Sequence, residues 1–361
     1  MAAPEASRRR RVPSALVAAL AVVLVVLALA VGVLRPERRP EIPAPVPSTP
    51  HADERFGPYP RFAPDSPFYA DISAAPVDPR TPAMARRLKA QVTGRYNGVA
   101  ALNTTKFSAS FVRATPDTPR GDVAFDNCQD KPSIPGKLYD GPAYFREVPI
   151  PEHAVPAEGS DGHLAVWEPD SDTLWEFWKA VRRPDGTWQA CWGGRIDRVS
   201  EAGGAFEFPY GVAASGLAHT GYMVTLQEAR EGRIEHAMGL VVPDPAKGHV
   251  YPATRSDGDA RDPAALKEGT RLRLDPGIDV ESLPLTPLGR AIARAAQRYG
   301  FIVTDRGGAV AVMAEGADVH RARSGDNPWR DTLSGVPSYE QLKGFPWDHV
   351  QVIQAGWGRP D

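Results

Sequence analysis

The segment from 160 to 192 concentrates the side chains that could do chemistry. His163 and Glu176 lie thirteen positions apart, and Trp167, Trp175, Trp178, Trp188 and Trp192 are threaded among and after them. An imidazole beside a carboxyl group, packed against indoles, has its protonation shifted by neighbour and by desolvation, which suits general acid–base work. Indole rings also offer flat apolar faces for sugar rings while their N–H groups stay wet. The expected catalytic residues are Glu176 as acid or base and His163 as its partner. His236, which alternates with Ile234, Met238 and Leu240, is either a third member or a satisfied core histidine. The expected substrate platform is Trp167, Trp178, Trp188 and Trp192. The competing reading makes the tryptophans core and His163–Glu176 a buried pair.

Strands and turns must position these groups. Pro169–Asp172 reads as a four-residue hairpin loop, which sets Glu168 opposite Thr173, Ala165 opposite Glu176 and His163 opposite Trp178. His163 and Glu176 then lie diagonally on one face. Arg183–Gly186 fits a type I turn that sets Trp178 opposite Trp192 and Ala180 opposite Ala190. One face carries the four platform tryptophans, His163 and Glu176. The other carries Leu164, Val166, Trp175, Phe177 and Val181. A slip of one residue would exchange the faces.

Other chemistry finds little support. Glu228 and Arg195 are secondary candidates for substrate contact, and exposed charge explains them as well. The chain has no HExxH, P-loop, GxGxxG or GxSxG segment and no cysteine pair at metal-ligand spacing, so no metal and no cofactor is expected. Its formal net charge of −2 in 361 residues gives no strong pull toward nucleic acid.

Glycine and proline number 33 and 37, which favours strands joined by turns over long helices. Strands are expected at 106–113, 122–125, 143–150, 163–168, 173–181, 187–192, 223–226, 234–242 and 349–353. Phe301–Thr304 and Ala309–Ala314 read as a hairpin around Asp305-Arg306-Gly307-Gly308. Two helices interrupt them. One opens at Thr81-Pro82 and runs to about Val92. The other is capped by Thr286, starts at Pro287, stops at Gly300, and faces a sheet with Leu288, Ile292, Ala295 and Tyr299. The expected fold is mainly β, a jelly-roll-like β-sandwich with one or two packed helices.

The N-terminus reads separately. Arg8–Arg11 precede an uncharged stretch, Val12–Leu34, whose apolar part from Ala15 would span roughly 30 Å as a helix. This predicts a cytoplasmic basic tail over 1–11, a transmembrane signal anchor over 12–34 and a C-terminal domain outside the membrane. Ala28-Leu29-Ala30 also fits a cleavage site, which would give a secreted protein instead. Residues 35–60 are a proline-rich disordered linker, and 61–361 form the extracytoplasmic domain. In that space Cys128 and Cys191 are either bridged or two free thiols.

Four segments carry a resemblance: FYADISAAPVDP (68–79), SDGHLAVWEPDSDTLWEFWKA (160–180), GRIEHAMGLVVP (232–243) and EGTRLRLDPGIDV (268–280). In that order they resemble a family of secreted or membrane-anchored bacterial β-rich proteins. The resemblance implies an extracytoplasmic β-rich domain and brings no catalytic assignment. Gly216–Gly221 departs from the family pattern, so the resemblance gives that loop no role. The expected function is to act on or bind cell-envelope or extracellular glycans, as a hydrolase or lyase. The alternatives are a non-catalytic glycan- or protein-binding module and a structural envelope component. The membrane and a polysaccharide are the expected partners.

Overall fold

The structure is a computed structural model that describes residues 58–95, 98–138 and 144–360. The tail, the anchor and nearly all of the linker lie outside the described residues. Among the described residues no helix is long and apolar enough to cross a membrane.

Fifteen strands dominate the described residues. The first eight are β1 (Ala101–Asn103), β2 (Ser110–Arg113), β3 (Val123–Phe125), β4 (Leu164–Glu168), β5 (Thr173–Trp178), β6 (Val181–Arg182), β7 (Trp188–Ala190) and β8 (Trp192–Asp197). The remainder are β9 (Met238–Val242), β10 (Ala246–His249), β11 (Lys267–Glu268), β12 (Arg271–Leu274), β13 (Phe301–Arg306), β14 (Ala311–Met313) and β15 (Val350–Val352). They form a six-stranded sheet, β1-β14-β9-β13-β12-β15, a four-stranded sheet, β2-β4-β5-β8, and smaller sheets β3-β7-β6 and β10-β11.

The β-rich expectation holds, but the topology differs from a jelly roll, whose sheets are antiparallel throughout. Here β1 runs parallel to β14, β9 to β13, β2 to β4 and β3 to β7. The expected hairpin of 301–304 with 309–314 does not form either. Strand β9 inserts between β13 and β14, parallel to one and antiparallel to the other. Alternation of apolar residues marks a strand but carries no information about which strand lies beside it.

Alternation does show in the packing. Phe301 and Val303 of β13, with Leu240, Leu272 and Val312, pack against Leu88 and Val92 of α1 (Thr81–Thr93) and against Leu288 and Ile292. The last two belong to a later helix, Pro287–Arg298. Ile302 and Met313, one position along, join a second core with Leu164, Val166, Trp175 and Phe177 of the four-stranded sheet. The six-stranded sheet is therefore covered on one face by helices and on the other by the second core. The later helix starts as expected: the Thr286 hydroxyl accepts from the Gly289 N–H at 3.0 Å, and Gly300 follows at φ +77°. Helix α1 starts at Thr81, after Arg80, which caps nothing with its side chain. The expected strand at 223–226 is instead the entrance to a helix, Leu226–Glu231, because Thr225 and Glu228 form a reciprocal capping box.

Candidate functional site

The two hairpin registers are those expected. Ala165 faces Glu176, Glu168 faces Thr173, and Trp178 faces Trp192. Both faces of this sheet are covered, so the Trp/His/Glu face is not an open platform. It splits into a buried half and a half that borders a cleft of about 850 Å³.

Glu176 belongs to the buried half. Its carboxyl accepts from the His219 N–H (3.0 Å), the Thr220 N–H (3.0 Å) and the Thr220 hydroxyl (3.2 Å). The expected bond to His163 does not form. Glu176 caps a one-turn helix, His219–Tyr222, and thereby fixes that segment against β5. Opposite Glu176 on the neighbouring strand, Gly194 leaves room for the Phe206 ring and the Gly211 backbone: a side chain there would strike them at 2.6 Å and 2.8 Å. Burial pushes the Glu176 carboxyl up to about 7, against the pull of the three donors.

The residue that meets His163 is His219, which sequence reasoning missed. Their rings pack edge to face at 4.3 Å, and both line the cleft. Burial pulls His163 down to about 4 and, with His163 beside it, pulls His219 well below the ordinary histidine range. Both are neutral at pH 7. The Nδ1 of His163 is buried with no hydrogen-bond partner.

Trp178 and Trp192 also line the cleft. The Trp178 Nε1 donates to Asp161 at 3.4 Å, and the Lys131 ammonium sits 3.8 Å from the centre of the Trp192 ring. The other two platform residues lie elsewhere. Trp167 is in the second core, 1% exposed, with the Arg113 guanidinium over its ring. Trp188, on β7, is half-buried beside that core and does not border the cleft. His236 is a satisfied histidine, held by Glu228 at 3.1 Å and by the Ala237 carbonyl at 3.0 Å. Burial pulls its pKa down, but the Glu228 charge together with its hydrogen bonds to Glu228 and the Ala237 carbonyl outweighs this and holds it above the ordinary value. Arg195 pairs with Asp197 at 2.7 Å.

The facing wall comes from the six-stranded sheet and the loops beside it. It brings Asp305, which lies near the end of β13 rather than in the expected turn, together with Arg255 and Asp257. Asp305 is half-buried and accepts from the Ala214 N–H at 3.2 Å and the Arg306 N–H at 2.8 Å. Burial, with Asp257 and Asp161 adding, pushes its carboxyl up to about 7. Arg255 holds the carbonyls of Gly211 and Ala213 at 2.8 and 2.6 Å. Among the described residues no group of three or more His, Cys, Asp or Glu is placed to hold a metal ion.

A disulfide joins Cys128 to Cys191. It ties the loop that carries Lys131 to the strand that carries Trp192. No known protein family, curated protein or solved structure matches this chain.

Proposed function

We propose that this chain is a membrane-anchored, extracytoplasmic glycan hydrolase whose active site is the cleft between the two larger sheets. The observation that carries the reading is Asp305. Its carboxyl is raised to about 7 in a cleft that also holds Asp161, Asp257, Trp178 and Trp192. One carboxyl raised by burial and like charge, with a second carboxylate across the cleft, is the division of labour that glycoside hydrolysis needs. In this reading Asp305 gives its proton to the leaving glycosidic oxygen as the C–O bond breaks. A water attacks the anomeric carbon and passes its proton to Asp161, which lies beside Trp178 on the wall opposite Asp305. Trp178 and Trp192 flank the sugar, and the neutral His163–His219 pair forms a polar wall with no charge to desolvate. The disulfide supports an oxidising compartment, and Arg8–Arg11 with the apolar run up to Leu34 supports an anchor.

The test is release of reducing ends from a panel of bacterial envelope glycans by the full chain. The rate should fall as pH rises through about 7, because Asp305 must be protonated to act. Asp305→Asn should lower turnover by about 10²–10⁴-fold with glycan binding retained. Binding without release for every glycan would leave a binding module. Neither binding nor release would end the glycan reading.

A further inference from the structure

Strand β12 buries two arginines, and they are satisfied differently. Arg273 donates to the Ile72 and Ser73 carbonyls at 2.6 and 2.7 Å and to the Gln351 side chain at 2.7 Å. Arg271 is 4% exposed; its Nη2 donates to the Pro67 carbonyl, and its Nε has no hydrogen-bond partner. Burial pulls its guanidinium down to about 10, and the group that pulls it back is Tyr251 rather than a carboxylate. A buried cation without a counter-charge is costly in isolation.

Arg271 lines a second pocket of about 300 Å³, which shares no lining residue with the cleft. Besides Arg80, which is paired with Asp78, the exposed cations Lys247, Arg261 and Lys267 line it. Its two acids are already engaged: Asp78 pairs with Arg80 at 2.7 Å, and Asp262 pairs with Arg87 at 2.6 Å. The Trp357 ring centre lies 5.8 Å from the Arg271 guanidinium and forms part of the same wall.

We propose that this pocket is a second binding site, one for an oxyanion, a phosphate or carboxylate group carried on a small organic ligand. The buried guanidinium supplies a planar donor that matches such a group. The exposed cations raise the local anion concentration around it. Trp357 and Tyr251 give the ligand's carbon skeleton a surface to lie on.

Calorimetric titration of the full chain with inorganic phosphate and with glucuronate, against chloride at matched ionic strength, tests this. Saturable binding of either oxyanion is expected, and the two arms show which group the pocket prefers. Affinity should fall about tenfold or more in Arg271→Met, which keeps the length and removes the charge. It should fall about threefold in Lys267→Ala, at an exposed position. If Arg271→Met does not fold, the exposed pair Arg261→Ala with Lys267→Ala decides. Unchanged affinity in the folded variants, or oxyanions no better than chloride, would overturn the proposal. Since the two pockets share no residue, failure here would leave the hydrolase reading standing.

Discussion

Glu176 illustrates how a residue can be found for one reason and matter for another. Its type, strand and facing direction were legible, because alternation and a four-residue loop fix them. Its partner was not, because the His219–Thr220 backbone reaches it from 43 residues away. Its carboxyl, raised to about 7, favours the fold most below the ordinary carboxylate range, and that contribution is lost as pH rises toward 7. Removing a donor to the ionised form should deepen this loss. Thr220→Val, which keeps the shape and deletes the hydroxyl, should cost about 1–2 kcal/mol at pH 8 and less at pH 5. Urea unfolding at the two pH values would show it, and equal costs would mean that the hydroxyl does not support the charge. His219 and Asp305 escaped notice for the same reason as that partner. One sits in a loop, the other in what reads as a turn, and only the packing of two sheets brings them to one cleft. The one local hint was His219-Thr220-Gly221, a polar and flexible triplet inside an otherwise apolar stretch.

At the scale of elements, the one-turn helix His219–Tyr222 is the part on which the site depends. It is too short to be stable alone. It is held by Glu176 at its start and by the Phe68 ring against Gly221. A side chain at Gly221 would meet that ring at 2.1 Å, and the ring is fully buried and cannot step aside. Gly221→Ala should therefore displace the turn, costing about 1–3 kcal/mol, and on the proposed hydrolase reading it should lower turnover as well. Gly203, where an added methyl group meets nothing within 4 Å, provides the control. Paired thermal melts and rate measurements would check both, and an unaltered Gly221→Ala would remove the turn from the account. The longer elements were readable because their signals are local: Thr286 and Gly300 bound a helix by side-chain capping and by left-handed backbone. Strand order was not readable, since pairing such as β1 with β14 is decided by the whole core.

At the scale of the molecule, the disulfide spans 63 residues and links the small three-stranded sheet region to the four-stranded sheet. Replacing Cys128 and Cys191 together by serine should cost up to about 4 kcal/mol in the chain-entropy description. Because Lys131 and Trp192 lie on its two sides, on the proposed reading glycan affinity should fall as well. Denaturant midpoints and binding curves for the double variant measure the two effects, and an unchanged midpoint would mean that the bridge adds nothing to the fold. The insertion of β9 between β13 and β14 has a further consequence, one of timing. The six-stranded sheet needs β1, from residue 101, beside β14, which ends at 313, and its edge is completed by β15 at 350–352. The backbone N–H of Asp78 is also held by the carbonyl of Val352. No early portion of the chain can close this sheet while the rest is still emerging. A sheet of such long-range pairings forms slowly. Closure of the sheet therefore waits for the strand at 350–352, and a chain without that strand leaves the β12 edge unpaired on one side.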